Sequence, residues 1–170
     1  MRQAGKSFPE TEICLQRKRE GAWLLSYAIT AGLILFADRI SKYLVMTRMQ
    51  DGESIPLIPP VFYLTYVRNR GAAFGLFQGR VVLLSLIALV CLLLVVTQWK
   101  KLRAKSAFVR WGVLISFVGA VGNLIDRLRW GAVIDFLDVR IFVFNVADAA
   151  IVVGVALLFW EVLVNDPKTS

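Results

Sequence analysis

The chain has 170 residues, 58% of them hydrophobic, and a mean hydropathy of +0.65, more apolar surface than a soluble domain of this size can bury. Its net charge of +8 could point to nucleic acid, but the cations flank apolar runs and form no stripe with interleaved aromatics, which argues against that partner. With no histidine, serine–histidine and cysteine–histidine nucleophiles are excluded, and Cys14 and Cys91 define neither a disulfide framework nor a metal site.

Residues 1–21 form a polar, basic tail ending on Arg17, Lys18 and Arg19. A first helix is predicted over about 22–46, with Asp38 and Lys42 near its far end; no small-residue cleavage site follows, so it is retained and is not a cleaved signal. In 47–80 the turn formers Asp51-Gly52, Pro56 and Pro59-Pro60 stop any helix. Val61 to Arg68 has strand composition, Asn69-Arg70-Gly71 supplies a turn, and Ala72 to Phe77 is a second short strand. The segment is predicted to be a small sheet at the membrane face, where Phe62, Tyr63, Tyr66 and Phe74 suit headgroup depth.

A second helix over 81–99 is free of charge, and a compact basic loop from Lys100 to Arg110 follows it at once. A third helix spans 111–127 and a fourth 146–164, with Leu128 to Phe144 irregular between them. Runs approaching twenty apolar residues cross a hydrocarbon layer of about 30 Å. The expected class is therefore an all-α membrane protein: four transmembrane helices and a small extracytoplasmic β-sheet between helices 1 and 2. One membrane-embedded domain covers 22–165, with a C-terminal tail at 166–170. The density of cations in the Lys100 to Arg110 loop places that loop and both termini in the cytoplasm.

With that topology Asp38, Lys42, Asn69, Asn123, Asp126, Arg127, Asp135, Asn145 and Asp148 converge near the outer face from separate parts of the chain. Each ionisable group at membrane depth costs on the order of 2.5 to 3.5 kcal/mol on insertion scales, so several at one level mark a site or a polar path. Asp38 and Lys42 pair at i, i+4, and Asn123, Asp126 and Arg127 share a helix face, so these five read as braces that tie helix ends together. Asn69 either bonds a peptide carbonyl or belongs to a hairpin turn, which Asn and Gly favour anyway.

Asn145-Val146-Ala147-Asp148 resembles a capping box, which alone would account for Asp148. Asp135, however, stands inside the apolar run Val133-Ile134-Asp135-Phe136-Leu137, where desolvation raises a carboxyl pKa, while the helix N-terminus favours an ionised Asp148. Two carboxyls driven apart in this way can share a proton and activate water.

Five motifs in order, Asp38-Arg39-Ile40-Ser41-Lys42, Asn69-Arg70-Gly71-Ala72-Ala73-Phe74, Gly122-Asn123-Leu124-Ile125-Asp126-Arg127, Val133-Ile134-Asp135-Phe136 and Phe144-Asn145-Val146-Ala147-Asp148, resemble the lipoprotein signal peptidases (signal peptidase II). The resemblance extends from about Trp23 to Trp160. It implies an aspartyl endopeptidase of the bacterial inner membrane with Asp135 and Asp148 catalytic and the site near the outer face. Asp38, Lys42, Asn69, Gly71, Gly119, Asn123, Asp126, Arg127, Val133, Asn145 and Ala147 match positions that line or brace that site. The implied partners are membrane lipid and prolipoproteins, whose signal peptide is removed just before a cysteine carrying a diacylglyceryl group. No cofactor or metal is implied.

Two other readings compete. A transporter would need polar groups distributed across the membrane, and Val81 to Gln98 and Ile151 to Trp160 offer none that is charged. A hard-cation enzyme using Asp126, Asp135, Asp138 and Asp148 is disfavoured by Arg127 beside them.

Overall fold

In a computed structural model, residues 10–71 and 77–164 are described for the backbone, and the same ranges without 10–21 for side chains. Three helices are long and apolar enough to cross a membrane: residues Ala22–Arg48 of α1 (Glu10–Arg48), α4 (Ala107–Trp130) and α5 (Val146–Val164). The fourth apolar helix, α2 (Val81–Thr97), has 17 residues, or about 26 Å of rise, and stands at the lower limit for a span. Of its side chains only Leu92 is buried; an apolar helix exposed on nearly every side has lipid as its natural solvent. After a break at Gln98 the chain makes the short α3 (Trp99–Arg103), whereas the sequence predicts one helix through to 99.

Small residues decide how α4 meets α5. A Cβ on Gly112 would lie 2.8 Å from the Gly154 carbonyl oxygen, one on Gly119 would strike the Ala147 carbonyl, and one on Gly154 would strike the Ser116 hydroxyl. Between helices in lipid, where the hydrophobic effect contributes little, such close backbone approach is the main source of packing. The Ser106 hydroxyl caps the start of α4 by accepting from the Val109 N–H at 3.3 Å. Gly131, at φ 64°, ends the helix in the left-handed conformation and turns the chain into the sheet.

Four antiparallel strands lie in the order β1 (Ser54–Ile58), β2 (Phe62–Asn69), β3 (Val133–Asp138) and β4 (Val143–Phe144). This corrects three expectations. The chain mixes helix and sheet and is not all-α; the sheet is not confined to the segment between the first two long helices; and Leu128 to Phe144 is not irregular, because it supplies β3 and β4. Residues 72–76 of the expected strand Ala72 to Phe77 lie outside the described residues. The partners of β2 are β1 and β3, the latter placing Val67 opposite Asp135 and Asn69 opposite Val133. Val45 and Met49 at the end of α1 pack with Tyr66, Ile134 and Phe136, so the sheet sits on one end of the helices.

Candidate active site

At that end of the helices, burial and charge are in conflict, and ion pairing resolves it. Asp38, Lys42 and Asp126 are at most 1% exposed. The Lys42 ammonium lies 2.9 Å from Asp38 and 2.6 Å from Asp126, and Arg39 pairs with both carboxylates, at 2.7 Å in the case of Asp126. Two cations and two anions make a group neutral overall, the condition under which buried charge is tolerated. The same carboxylates hold backbone from elsewhere: Asp38 accepts from the Ala147 N–H at 3.1 Å and Asp126 from the Ile134 N–H at 3.4 Å. The quartet thereby fixes α1, α4, β3 and the first turn of α5 relative to one another.

Asn123 connects this quartet to the aspartates. Its carbonyl oxygen accepts from Lys42 at 3.3 Å and from the Asn145 amide at 3.2 Å, while its own amide donates to Asp148 at 2.7 Å. Asn145, fully buried, stands between the two carboxylates. Its side-chain amide donates to Asp135 at 2.6 Å, its carbonyl accepts from the Asp148 N–H at 2.9 Å, and its backbone N–H donates to the other Asp148 oxygen at 3.2 Å. The last two bonds are the reciprocal pair of a capping box, as the spacing suggests. The free oxygen of Asp135 accepts from the Asn69 amide at 2.8 Å.

Desolvation, reinforced by the charge of Asp148, pushes the Asp135 carboxyl up to about 7 from 3.8, against the amides of Asn69 and Asn145 and the charge of Lys42. Between those values the folded chain holds a proton that the unfolded chain has released. This contribution to stability is complete below 3.8 and is lost as pH rises through about 7. The melting temperature in detergent should therefore fall across that window, and the Asp135→Asn variant should lose this part of the fall. An identical pH dependence in the variant would show that Asp135 is not the titrating group.

The remaining candidates gather around the same centre. Val133 is buried opposite Asn69, and Gly71 donates its N–H to the Asn69 carbonyl oxygen at 2.9 Å, so Asn69 forms a turn and turns its amide to Asp135. Arg127 is half-buried and acts through its charge on Asp148, Asp135 and Asp126. Gly119 lies against Ala147. Sequence reasoning missed Arg39, although it stands within the first motif: at position i+1 to Asp38 it follows no helical pairing rule, and its partner Asp126 is distant in sequence. It also missed Gly122, whose absent side chain leaves room for the Asp38 carboxylate, 2.9 Å from where a Cβ would sit.

A family model described as signal peptidase (SPase) II matches residues 30–164. The chain is 43% identical over 143 residues to a lipoprotein signal peptidase of Pelotomaculum thermopropionicum, covering 84% of this chain and 94% of that one. A lipoprotein signal peptidase of Halothermothrix orenii is 46% identical over 127 residues, 74% of this chain and 87% of that one. Among solved structures, a bacterial membrane enzyme determined by the in meso method at 2.3 Å resolution is similar with a TM-score of 0.79 and 31% identity, covering 85% of this chain and 92% of that one. On the family model and these relatives together, the chain belongs to the signal peptidase II family, the lipoprotein signal peptidases.

Proposed function

We propose that Asp135 and Asp148 are the catalytic pair with which this aspartic membrane peptidase removes signal peptides from diacylglyceryl-modified prolipoproteins, cutting before the lipidated cysteine. One observation carries the assignment: a single buried residue, Asn145, bonds both carboxylates, and the one on β3 is pushed up to about 7 while the other keeps both oxygens on N–H donors. A protonated Asp135 and an ionised Asp148 are the two states a shared-proton pair needs. Water held between them loses a proton to Asp148 as it attacks the scissile carbonyl, and Asp135 donates to the developing oxyanion. As the adduct collapses and its C–N bond breaks, Asp148 passes its proton to the leaving nitrogen and Asp135 recovers one from the adduct's hydroxyl. On this assignment cleavage slows as pH rises through about 7.

Asn69, Asn123 and Asn145 orient the pair, Asp38, Lys42 and Asp126 hold Asn123 and the surrounding backbone in place, and Arg127 acts on the pair through its charge. Gly71 fixes Asn69 through its N–H, and Gly119, Val133 and Ala147 give the close packing that this requires. The chemistry uses no metal and no cofactor. Lipid enters as part of the substrate, its acyl chains lying in the bilayer beside the helices, so a diacylated precursor should be cut and its unlipidated form cut poorly or not at all. Gel mobility of both precursors with purified enzyme in detergent, with and without chelator, tests this. Equal rates on the two precursors would show that the lipid is not read.

The proposed arrangement is one membrane domain over 22–165 with four spans, α2 being the shortest, and with 1–21 and 166–170 as cytoplasmic tails. The basic loop after α2 supports the orientation, with the aspartates near the outer face of the inner membrane. In a variant freed of Cys14 and Cys91, Asp51→Cys should react with an impermeant thiol reagent in intact cells, and Ala104→Cys should resist it. The reverse pattern would move the site to the cytoplasm.

A further inference from the structure

At the end of the helices away from the aspartates, α1, α3 and α4 enclose an open cavity of about 440 Å³ whose lining includes Trp23, Tyr27, Trp99, Lys100, Arg103 and Arg110. The end is remote: from Arg110 to Asp126 the rise along α4 is roughly 24 Å, most of a hydrocarbon thickness. Among the described residues the lining holds three cations and no carboxylate. Among the described residues, ion pairing of the kind that neutralises Lys42 and Arg39 is thus missing from this lining.

Arg110 is held in place while its charge stays uncompensated by these contacts. Its Nε donates to the Tyr27 hydroxyl at 2.9 Å, one terminal nitrogen donates to the Lys105 carbonyl at 2.7 Å, and the guanidinium lies 5.7 Å from the centre of the Trp23 ring. Tyr27 is itself fixed edge-on to Trp111, with ring centres 4.6 Å apart. A guanidinium has five N–H donors, so two bonds to neutral oxygens leave others for an anion. Lys100 and Arg103 stand at i, i+3 on α3, on the same side of one turn, and both side chains are exposed. The positive-inside tendency explains why cations occur in this loop. It does not require that cations from two helices face one cavity, or that two indoles, the side chains best suited to headgroup depth, line it with them.

We propose that this cavity binds the phosphodiester headgroup of an anionic phospholipid, with Arg110 as the fixed donor, Lys100 and Arg103 as the surface cations, and Trp23 and Trp99 at the headgroup boundary. Basic pockets between membrane helices on the cytoplasmic side are suited to such headgroups. The site is separate from the peptidase centre and from the lipid carried by the substrate.

The test is native mass spectrometry of the full chain in detergent, with equimolar phosphatidylglycerol and phosphatidylcholine. One phosphatidylglycerol should be retained in preference to phosphatidylcholine. Lys100→Gln combined with Arg103→Gln should weaken that retention about thirtyfold, the loss expected for two cations beside an anionic headgroup. Both side chains are exposed, and Lys101, Lys105 and Arg110 still mark the loop as basic, so folding and orientation should survive the change. Excess inorganic phosphate should fail to displace the lipid, because the acyl chains also hold it. Equal retention of the two lipids, unchanged retention in the double variant, or displacement by phosphate would each overturn the proposal.

Discussion

Replacing either aspartate of the pair by asparagine should abolish prolipoprotein cleavage, and the structure shows that the change is less innocent than its shape suggests. Both oxygens of Asp148 accept from N–H donors, one from the Asn123 amide and one from the Asn145 backbone. An amide at position 148 must turn its own donors toward one of them. Rotating the Asn123 amide to compensate would point its nitrogen at Lys42, so the mismatch cannot be passed on cheaply. Asp135 is in the same position between the amides of Asn69 and Asn145. Each substitution should therefore cost about 1–3 kcal/mol of stability through an unsatisfied buried donor.

The catalytic loss should be far larger than that cost implies: at least about a thousandfold, within the range that general acid–base groups contribute. Groups that share one proton act as a unit, so the double variant should be no slower than either single one. Asp138→Asn is the internal control. Asp138 is also buried, accepting from the Thr65 hydroxyl at 2.7 Å and the Arg140 N–H at 2.6 Å. The Thr65 hydroxyl can reverse its role and accept, with Ser54 as its other partner, so this variant should keep substantial activity. Rates are to be compared at equal amounts of folded protein, measured by melting in detergent. Folded Asp148→Asn enzyme that cleaves near the normal rate would leave Asp148 as a helix cap and nothing more.

What the sequence makes legible here is the level at which polar groups lie, because helices with long apolar runs fix depth by counting. Asp38 and Lys42 near one end of the first helix, Asn123 and Asp126 near the end of the third and Asn145 at the start of the fourth must meet once alternate helices run in opposite directions. The sheet is less legible for two separate reasons. Pro56 argues against a strand, yet it is tolerated because β1 is the edge of the sheet, where a missing N–H breaks no inner ladder. The run from Val133 to Leu137 is apolar enough to be a buried strand, but its partner β2 lies on the far side of three helices, α2, α3 and α4, and pairing of Tyr63 with Asp138 leaves no local trace. Hydrogen-bond direction is not legible at all. Nothing in the spacing of Asn145 indicates that its amide reaches Asp135 as well as capping α5, or that Asn69 donates to a carboxylate and not to a peptide.

Lys42→Met should prevent stable folding in the membrane. Methionine nearly preserves the shape, so the effect isolates charge: Asp38 and Asp126 would remain buried at 1% and 0% exposure, with Arg39 as the one cation still in direct contact with both. Removing one member of a buried pair costs about 3–5 kcal/mol, a large part of the stability of a typical domain. Lys42 also bonds Asn123, so even the surviving folded fraction should show a displaced amide at Asp148 and reduced cleavage. If unbalanced charge is the cause, removing one carboxylate should repair it. Asp126→Asn added to Lys42→Met leaves Asp38 with Arg39 and keeps a carbonyl oxygen for the Ile134 N–H, so folded yield on size-exclusion chromatography should recover substantially. The single change Asp126→Asn in the presence of Lys42 should be milder than Lys42→Met, since it leaves an excess cation with Arg39 partly open to solvent. Failure of the double variant to recover would mean that Lys42 is needed for its packing or its bond to Asn123, and that the quartet is not held by charge balance.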